Sequence, residues 1–223
     1  MSSATQGPQA AGVTLLACAL RAELWALRGN RPGARLLLTG MGGQRAGRSV
    51  SSALAQGERA PGAFLFAGFG AAVGPGICPG DVLVATEVRD VEGGSTGLPL
   101  AGGLAESLRR AGLTVHTGPL FSADRVVRGA QRAELHAAGV LGVDMETAAA
   151  LRALPAGLPA GAVRVVVDTP DQELLRPGTL VHGLRAWRVL RATAPVLAAW
   201  QPSRTGDNPP SSTPYSRKAR YPR

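Results

Sequence analysis

The sequence predicts a single α/β domain, and three observations predict it. Short apolar runs rich in β-branched residues alternate with stretches of helical periodicity along most of the 223 residues. No stretch approaches the roughly 20 uninterrupted apolar residues that a bilayer span needs. Turn-forming glycines fall where apolar runs end, which is where open α/β sheets bind their ligands. A chain of this length can bury one complete core. The expected organisation is a flexible N-terminus over 1–11, one domain over 12–200 and a disordered basic tail over 201–223.

Taken in order, 13–18 reads as a buried strand and 21–28 as a short helix. A second strand over 35–39 runs into Gly40, Met41, Gly42 and Gly43, and 44–56 is helical. The third strand, 63–67, is followed by a Gly-rich segment over 68–80, and 82–88 is a β-branched strand. Residues 104–111 are helical up to Gly112, 114–118 are extended, and 125–138 are helical again. A short strand over 140–143 gives way to a helix over 145–154. The run 163–167 is a strong strand, being almost entirely valine. The last helix spans 180–200, with Leu184, Trp187, Val189, Leu190 and Val196 expected on the sheet. From 201 onward Pro, Ser, Asn and Arg cannot bury enough apolar surface to offset the entropy of ordering.

The formal charge of +9 invites a nucleic-acid partner. Arg204, Arg217, Lys218, Arg220 and Arg223, opposed only by Asp207, place much of it in the tail. Elsewhere the arginines are scattered among Ala, Gly and Leu, without a basic, aromatic-interleaved surface, so no nucleic-acid partner is expected. Weak attraction to phosphate or to a membrane surface stays open. Cys18 and Cys78 are too few for a disulfide framework, and Cys18 reads as core packing. His116, His136 and His182 have no ligand spacing, so no metal is expected. The N-terminal residues lack the layout of a secretion signal, and the expected location is cytoplasmic.

Four strand ends carry unusual chemistry. Glycines at 40–43 and 68–74 let backbone N–H groups approach an anion or the edge of a planar base, although turn geometry alone also explains them. Neither run is a P-loop or a dinucleotide fingerprint. Asp144, Met145 and Glu146 sit where a strand turns into a helix. Glu146 can accept from both hydroxyls of a ribose, whereas Asp144 reads as an N-cap. Asp168 ends the valine-rich strand, with Asp171 three residues on as a cap of the following turn. A carboxylic acid at 168 can protonate a purine ring nitrogen as the glycosidic bond stretches.

The run Gly142, Val143, Asp144, Met145, Glu146, Thr147, Ala148, Ala149 resembles the signature shared by purine and uridine phosphorylases and by methylthioadenosine/S-adenosylhomocysteine nucleosidases. Residues 37–46, 66–81 and 164–171 resemble, in order, that family's second strand and glycine turn, its Gly-rich loop ending in Gly-Asp, and its acid-bearing strand end. The resemblance implies an α/β/α sandwich around a mixed, partly barrel-like sheet, working as a homo-oligomer on a small-molecule nucleoside. Carried over, Glu146 binds the ribose hydroxyls, Met145 packs on the sugar, Gly68, Phe69 and Gly70 line the substrate, and Asp168 acts on the purine N7. Glu23 matches the carboxylate with which the nucleosidases activate water. Two departures stand out: Val167 replaces a Ser frequent before the acid, and Pro170 stands where many members have Ala.

No cofactor is implied beyond inorganic phosphate as a co-substrate, for which Gly40, Gly42, Arg45 and Arg21 are the candidates. Compact length, the Asp-Met-Glu form of the signature and the Trp-bearing, Arg-rich last helix look most like the hopanoid-associated phosphorylase branch. That branch is implicated in converting adenosylhopane to adenine and ribosyl hopane phosphate. Three readings therefore stay open: phosphorolysis of an adenine nucleoside; hydrolysis of methylthioadenosine, S-adenosylhomocysteine or futalosine; and a non-catalytic nucleoside-binding or lipid-surface protein.

Overall fold

The structure is a computed structural model that describes residues 12–28, 33–57, 59–170 and 179–202, with side chains from 183 onward in the last stretch. The expected flexible N-terminus, Asp171 and nearly all of the basic tail lie outside the described residues. In chain order the elements are β1 (Thr14–Cys18), α1 (Arg21–Leu27), β2 (Ala34–Leu38), α2 (Gly43–Gln56), β3 (Ala63–Ala72), β4 (Val82–Asp90) and β5 (Ser95–Gly97). They continue with α3 (Ala101–Arg110), β6 (Val115–Ser122), α4 (Ala130–Ala137), β7 (Gly142–Asp144), α5 (Thr147–Arg152), β8 (Ala160–Asp168) and α6 (Thr179–Ala199).

The eight strands form one sheet in the order β2-β1-β3-β7-β6-β4-β5, and β8 pairs with both β3 and β4. Those two pairings close β3, β7, β6, β4 and β8 into a five-stranded ring, with β1 and β2 extending it on one side. The sheet is mixed: β1, β2, β3 and β8 run parallel, while β7 is antiparallel to β3 and β4 antiparallel to β8.

Alternate residues of β1 sort the two faces. Leu16 and Cys18 join α1, α3 and α6 through Leu27, Leu104, Leu108, Leu190 and Leu197. Leu15 and Ala17 join α2 and α5 through Val50 and Leu151. Because both faces are covered, β1 is buried along its whole length, its one polar side chain, Thr14, donating to the Trp200 carbonyl at 3.2 Å. The result is the three-layer α/β/α architecture with a barrel-like sheet. Among the described residues, no helix is long and apolar enough to cross a membrane.

The structure corrects several boundaries. β3 does not stop at residue 67 but continues to Ala72, taking Gly68 and Gly70 into the sheet. Helix α4 begins only at Ala130, because Gly129 takes φ +52 and breaks the pattern. Helix α5 starts two residues later than expected, at Thr147. Leu184, placed on the sheet from the sequence, is 50% exposed, whereas Leu190 is fully buried.

Candidate functional site

The antiparallel crossing of β7 over β3 assembles the candidate site. Ala71 of β3 is registered with Val143 on one side and with Asp168 on the other. The carboxyl end of β8 and the Asp144-Met145-Glu146 turn therefore lie within two strands of each other, separated by the β3 glycines. A fully parallel sheet would have lined up carboxyl ends along one edge. Here β7 runs back along β3 instead.

Glu146 is buried at the head of α5. Its Oε1 accepts from the Gly42 N–H at 2.9 Å, and its Oε2 accepts from the Met145 N–H at 3.3 Å. The glycine turn after β2 thus meets the signature turn. Gly40 and Gly42 have φ of +80 and +87, a region open to glycine at little cost, so the turn needs them. The expectation that Gly42 holds phosphate meets a physical obstacle, since its N–H is engaged by Glu146. Arg45 and Arg21 are exposed, with the Arg45 side chain lying over Gly40. Met145 and Phe69 are half-buried.

Glu23, 2% exposed, is the third residue of α1 and caps its own helix. One oxygen accepts from the N–H groups of Ala19 and Leu20 at 2.9 and 2.8 Å, and the other accepts from the Phe69 N–H at 2.7 Å. Burial pushes its carboxyl above the usual glutamate range, against the opposing pull of Arg164 and these three backbone donors. Glu23 is thus a buried, fully engaged carboxylate rather than a solvated one on the helix surface. Cys18, beneath it, has its thiol pushed up to about 12, first by burial and then by the Glu23 charge.

Arg164 was missed in the sequence. It projects from β8 into the ring and is 1% exposed. Its Nη2 donates to Asp144 Oδ2 and, at 2.6 Å, to Thr147 Oγ1, and its guanidinium lies 4.5 Å over the Phe66 ring. Nε and Nη1 are buried without a partner. A Cβ on Gly68 would lie 2.5 Å from Glu23 Oε1 and 2.8 Å from Arg164 Nη1, so both groups converge above that glycine. The available signal was a lone charge inside a buried strand, which demands a buried countercharge.

That countercharge is Asp144. Besides Arg164, it accepts from the hydroxyls of Ser122, at 2.5 Å, and Thr147, and from the Thr147 N–H at 3.3 Å. The N-cap position of α5 is Glu146 and not Asp144 as the sequence suggested, because the helix starts only at Thr147; the bond from the Thr147 N–H is one part of a buried network around Asp144. Asp168 is buried as well, at 6% exposure. Its Oδ2 accepts from Arg132 Nη2 of α4 at 2.5 Å, and Oδ1 has no partner. The orienting hydroxyl that Val167 cannot supply is thus replaced by a guanidinium from a different element. Among the described residues no group of His, Cys, Asp or Glu could hold a metal ion.

A ring-closed mixed sheet with carboxylates at the ends of β7 and β8 defines the class of nucleoside phosphorylases and nucleosidases. Residues 30–181 match the family described as the phosphorylase superfamily, and the chain belongs to it. No curated protein gives a significant sequence match.

Solved structures are similar over the whole domain. The methylthioadenosine/S-adenosylhomocysteine nucleosidase of Neisseria meningitidis, in complex with methylthio-immucillin-A, superposes with a TM-score of 0.69 at 19% identity. The match covers 85% of this chain and 100% of that one. The Campylobacter jejuni nucleosidase gives 0.70 at 15% identity over 84% and 97% of the two chains. The Streptococcus pneumoniae nucleosidase with 8-aminoadenine gives 0.64 at 21% identity over 82% and 99%. At these identities the likeness is one of fold.

Proposed function

We propose that the protein cleaves the N-glycosidic bond of a purine nucleoside, with adenine as the base. The observation that carries this reading is the pairing of two buried carboxylates across β3. Glu146 is fixed by the Gly42 N–H for the vicinal diol of a ribose, and Asp168 is fixed by Arg132 on the side of the base. Stabilising the purine imidazole ring there lets the base depart as the anomeric carbon takes on oxocarbenium character.

For the group that attacks the anomeric carbon, phosphate is the first reading, with Gly40, Arg45 and Arg21 as its candidate ligands. The buried, raised carboxyl of Glu23 beside the Arg164 guanidinium favours a second reading, in which water is the nucleophile. Adenosylhopane as the substrate rests on the sequence resemblance to the hopanoid-associated branch, and homo-oligomer formation on the resemblance to the superfamily. Adenine release from adenosine, methylthioadenosine, S-adenosylhomocysteine and adenosylhopane, measured with and without phosphate, tests these statements together. The proposal predicts free adenine from at least one of them, and phosphate dependence separates the two nucleophiles. No base release under any condition overturns it.

A further inference from the structure

Apart from Arg21, a candidate for phosphate, the outward faces of α1 and α6 take no part in the chemistry above. Both helices pack on the same side of the sheet, through Ala26, Leu27, Ala186 and Leu190. Trp187 ties them together by donating its indole N–H to the Ala22 carbonyl at 3.1 Å. Side chains three or four residues apart share one face of a helix. Arg21, Trp25 and Arg28 therefore run along the outward stripe of α1 and its end, and Leu184, Arg188 and Arg191 along that of α6. All six are exposed, Trp25 at 66% and Leu184 at 50%.

Negative charge is missing from this surface. The α6 sequence contains no Asp or Glu, and the one carboxylate of α1, Glu23, is buried and turned inward. On α3, the third helix of this side, Glu106 is exposed, but Arg110 lies 3.9 Å from it and Arg109 leaves the helix net positive. Among the described residues, none of the four arginines on the α1 and α6 stripes pairs with a carboxylate. Unneutralised positive charge selects an anionic partner.

We infer that the outward faces of α1 and α6 form a docking surface for an anionic lipid bilayer, on which the protein rests without crossing it. Guanidinium groups stay at the level of the lipid phosphates, where each basic side chain strengthens binding about fivefold. Trp25 occupies the interfacial zone that suits an amphipathic ring, and Leu184 enters the boundary of the acyl chains. A single-stranded nucleic acid fits this surface less well, because it needs several aromatic platforms in a groove. Trp25 is the one largely exposed ring here, since Trp187 is half-buried, with its N–H on Ala22 and the Arg191 guanidinium 5.6 Å from its ring centre.

Co-sedimentation of the full chain with vesicles of phosphatidylcholine and phosphatidylserine, against phosphatidylcholine alone, tests the inference. The protein should pellet with the first and stay in solution with the second, and added salt should release it. Arg28→Gln combined with Arg188→Gln should weaken binding roughly 25-fold. If circular dichroism shows that the double variant does not fold, Arg188→Gln alone should weaken it about fivefold. Brominated acyl chains in the anionic vesicles should quench tryptophan fluorescence, and Trp25→Phe should lose most of that quenching.

The sequence beyond α6 adds Arg204, Arg217, Lys218, Arg220 and Arg223 against Asp207. Binding through those residues alone would survive the helix substitutions unchanged and would overturn the inference. Equal binding to neutral vesicles, binding to neither, or retention of a single-stranded RNA in place of vesicles overturns it too. So does a dimer that Trp25→Asp splits while vesicles stay unbound, since the face would then join two copies of the chain. Base release enters none of these readouts, so the proposed reaction stands or falls separately.

Discussion

Cutting either side of the Arg164–Asp144 pair should destabilise the protein heavily. Both side chains are 1% exposed. Arg164→Met deletes the guanidinium that bonds Asp144 and Thr147 and lies over Phe66, and leaves Asp144 among hydroxyls with no direct cationic partner. Asp144→Asn leaves a buried cation whose Nε and Nη1 already lack partners. Breaking one side of a buried ion pair costs about 3–5 kcal/mol. In a chain of this size each kcal/mol moves the melting temperature by about 2–4 °C, so a fall of roughly 6–20 °C is expected.

The double variant should fall short of the sum of the singles by about 0.5–3 kcal/mol, since the second change removes the charge that the first left stranded. Urea unfolding followed by circular dichroism measures all four proteins of the cycle. Single variants within about 1 kcal/mol of the parent would place the pair among exposed ion pairs and refute the argument. Strict additivity would refute it equally.

Gly68→Ala should cost about 1–3 kcal/mol by overpacking and should abolish base release, since its Cβ would displace Glu23 and Arg164. Gly102→Ala in α3, where a Cβ meets nothing, should instead stabilise by roughly 0.5–1 kcal/mol, and chemical denaturation compares the two. The raised carboxyl of Glu23 makes its stability contribution complete below the ordinary value of 4.5 and lost as pH climbs through the folded value. Unfolding free energies across about pH 4 to 8 should therefore fall more steeply in the parent than in Glu23→Gln, and parallel curves would dismiss the claim. A thiol reagent near neutral pH should label exposed Cys78 and spare buried Cys18, with mass spectrometry counting the adducts; two adducts on the native protein would contradict the burial.

Local pattern made much of this molecule legible. The valine-rich run before Asp168 could only be a buried strand, and the carboxylates at 144 and 146 stood visibly at a strand-to-helix turn. The alternation of elements, together with the family signature, led to the layered sheet. What stayed hidden depends on contacts between distant segments. Gly68 and Gly70 read as loop because glycine is rare within strands. Their presence in β3 makes sense only once Glu23 and Arg164 are seen pressing on that strand. Arg164 looked like an interruption of an apolar run, since its partner lies 20 residues upstream on another strand. Arg132 sits in a helix whose sequence, Ala-Gln-Arg-Ala-Glu-Leu, has the look of a solvated surface, and nothing local marks it as the partner of Asp168.

The closed ring also governs how the chain acquires its structure. β3 ends at Ala72, and the strand that flanks it over most of its length does not begin until Ala160. Closing so long a loop is entropically slow, and contacts of such separation are typical of proteins that fold late and cooperatively. During synthesis the apolar stretch Ala63–Ala72 is complete long before β7 and β8 exist to cover it, so it presents an unpaired edge of the kind that recruits other chains. The same glycine-bearing strand that admits Glu23 and Arg164 is thus the nascent protein's point of greatest exposure to aggregation. A ribosome stalled before β8 emerges should yield insoluble product, and solubility should return once residue 168 has been made and has cleared the exit tunnel.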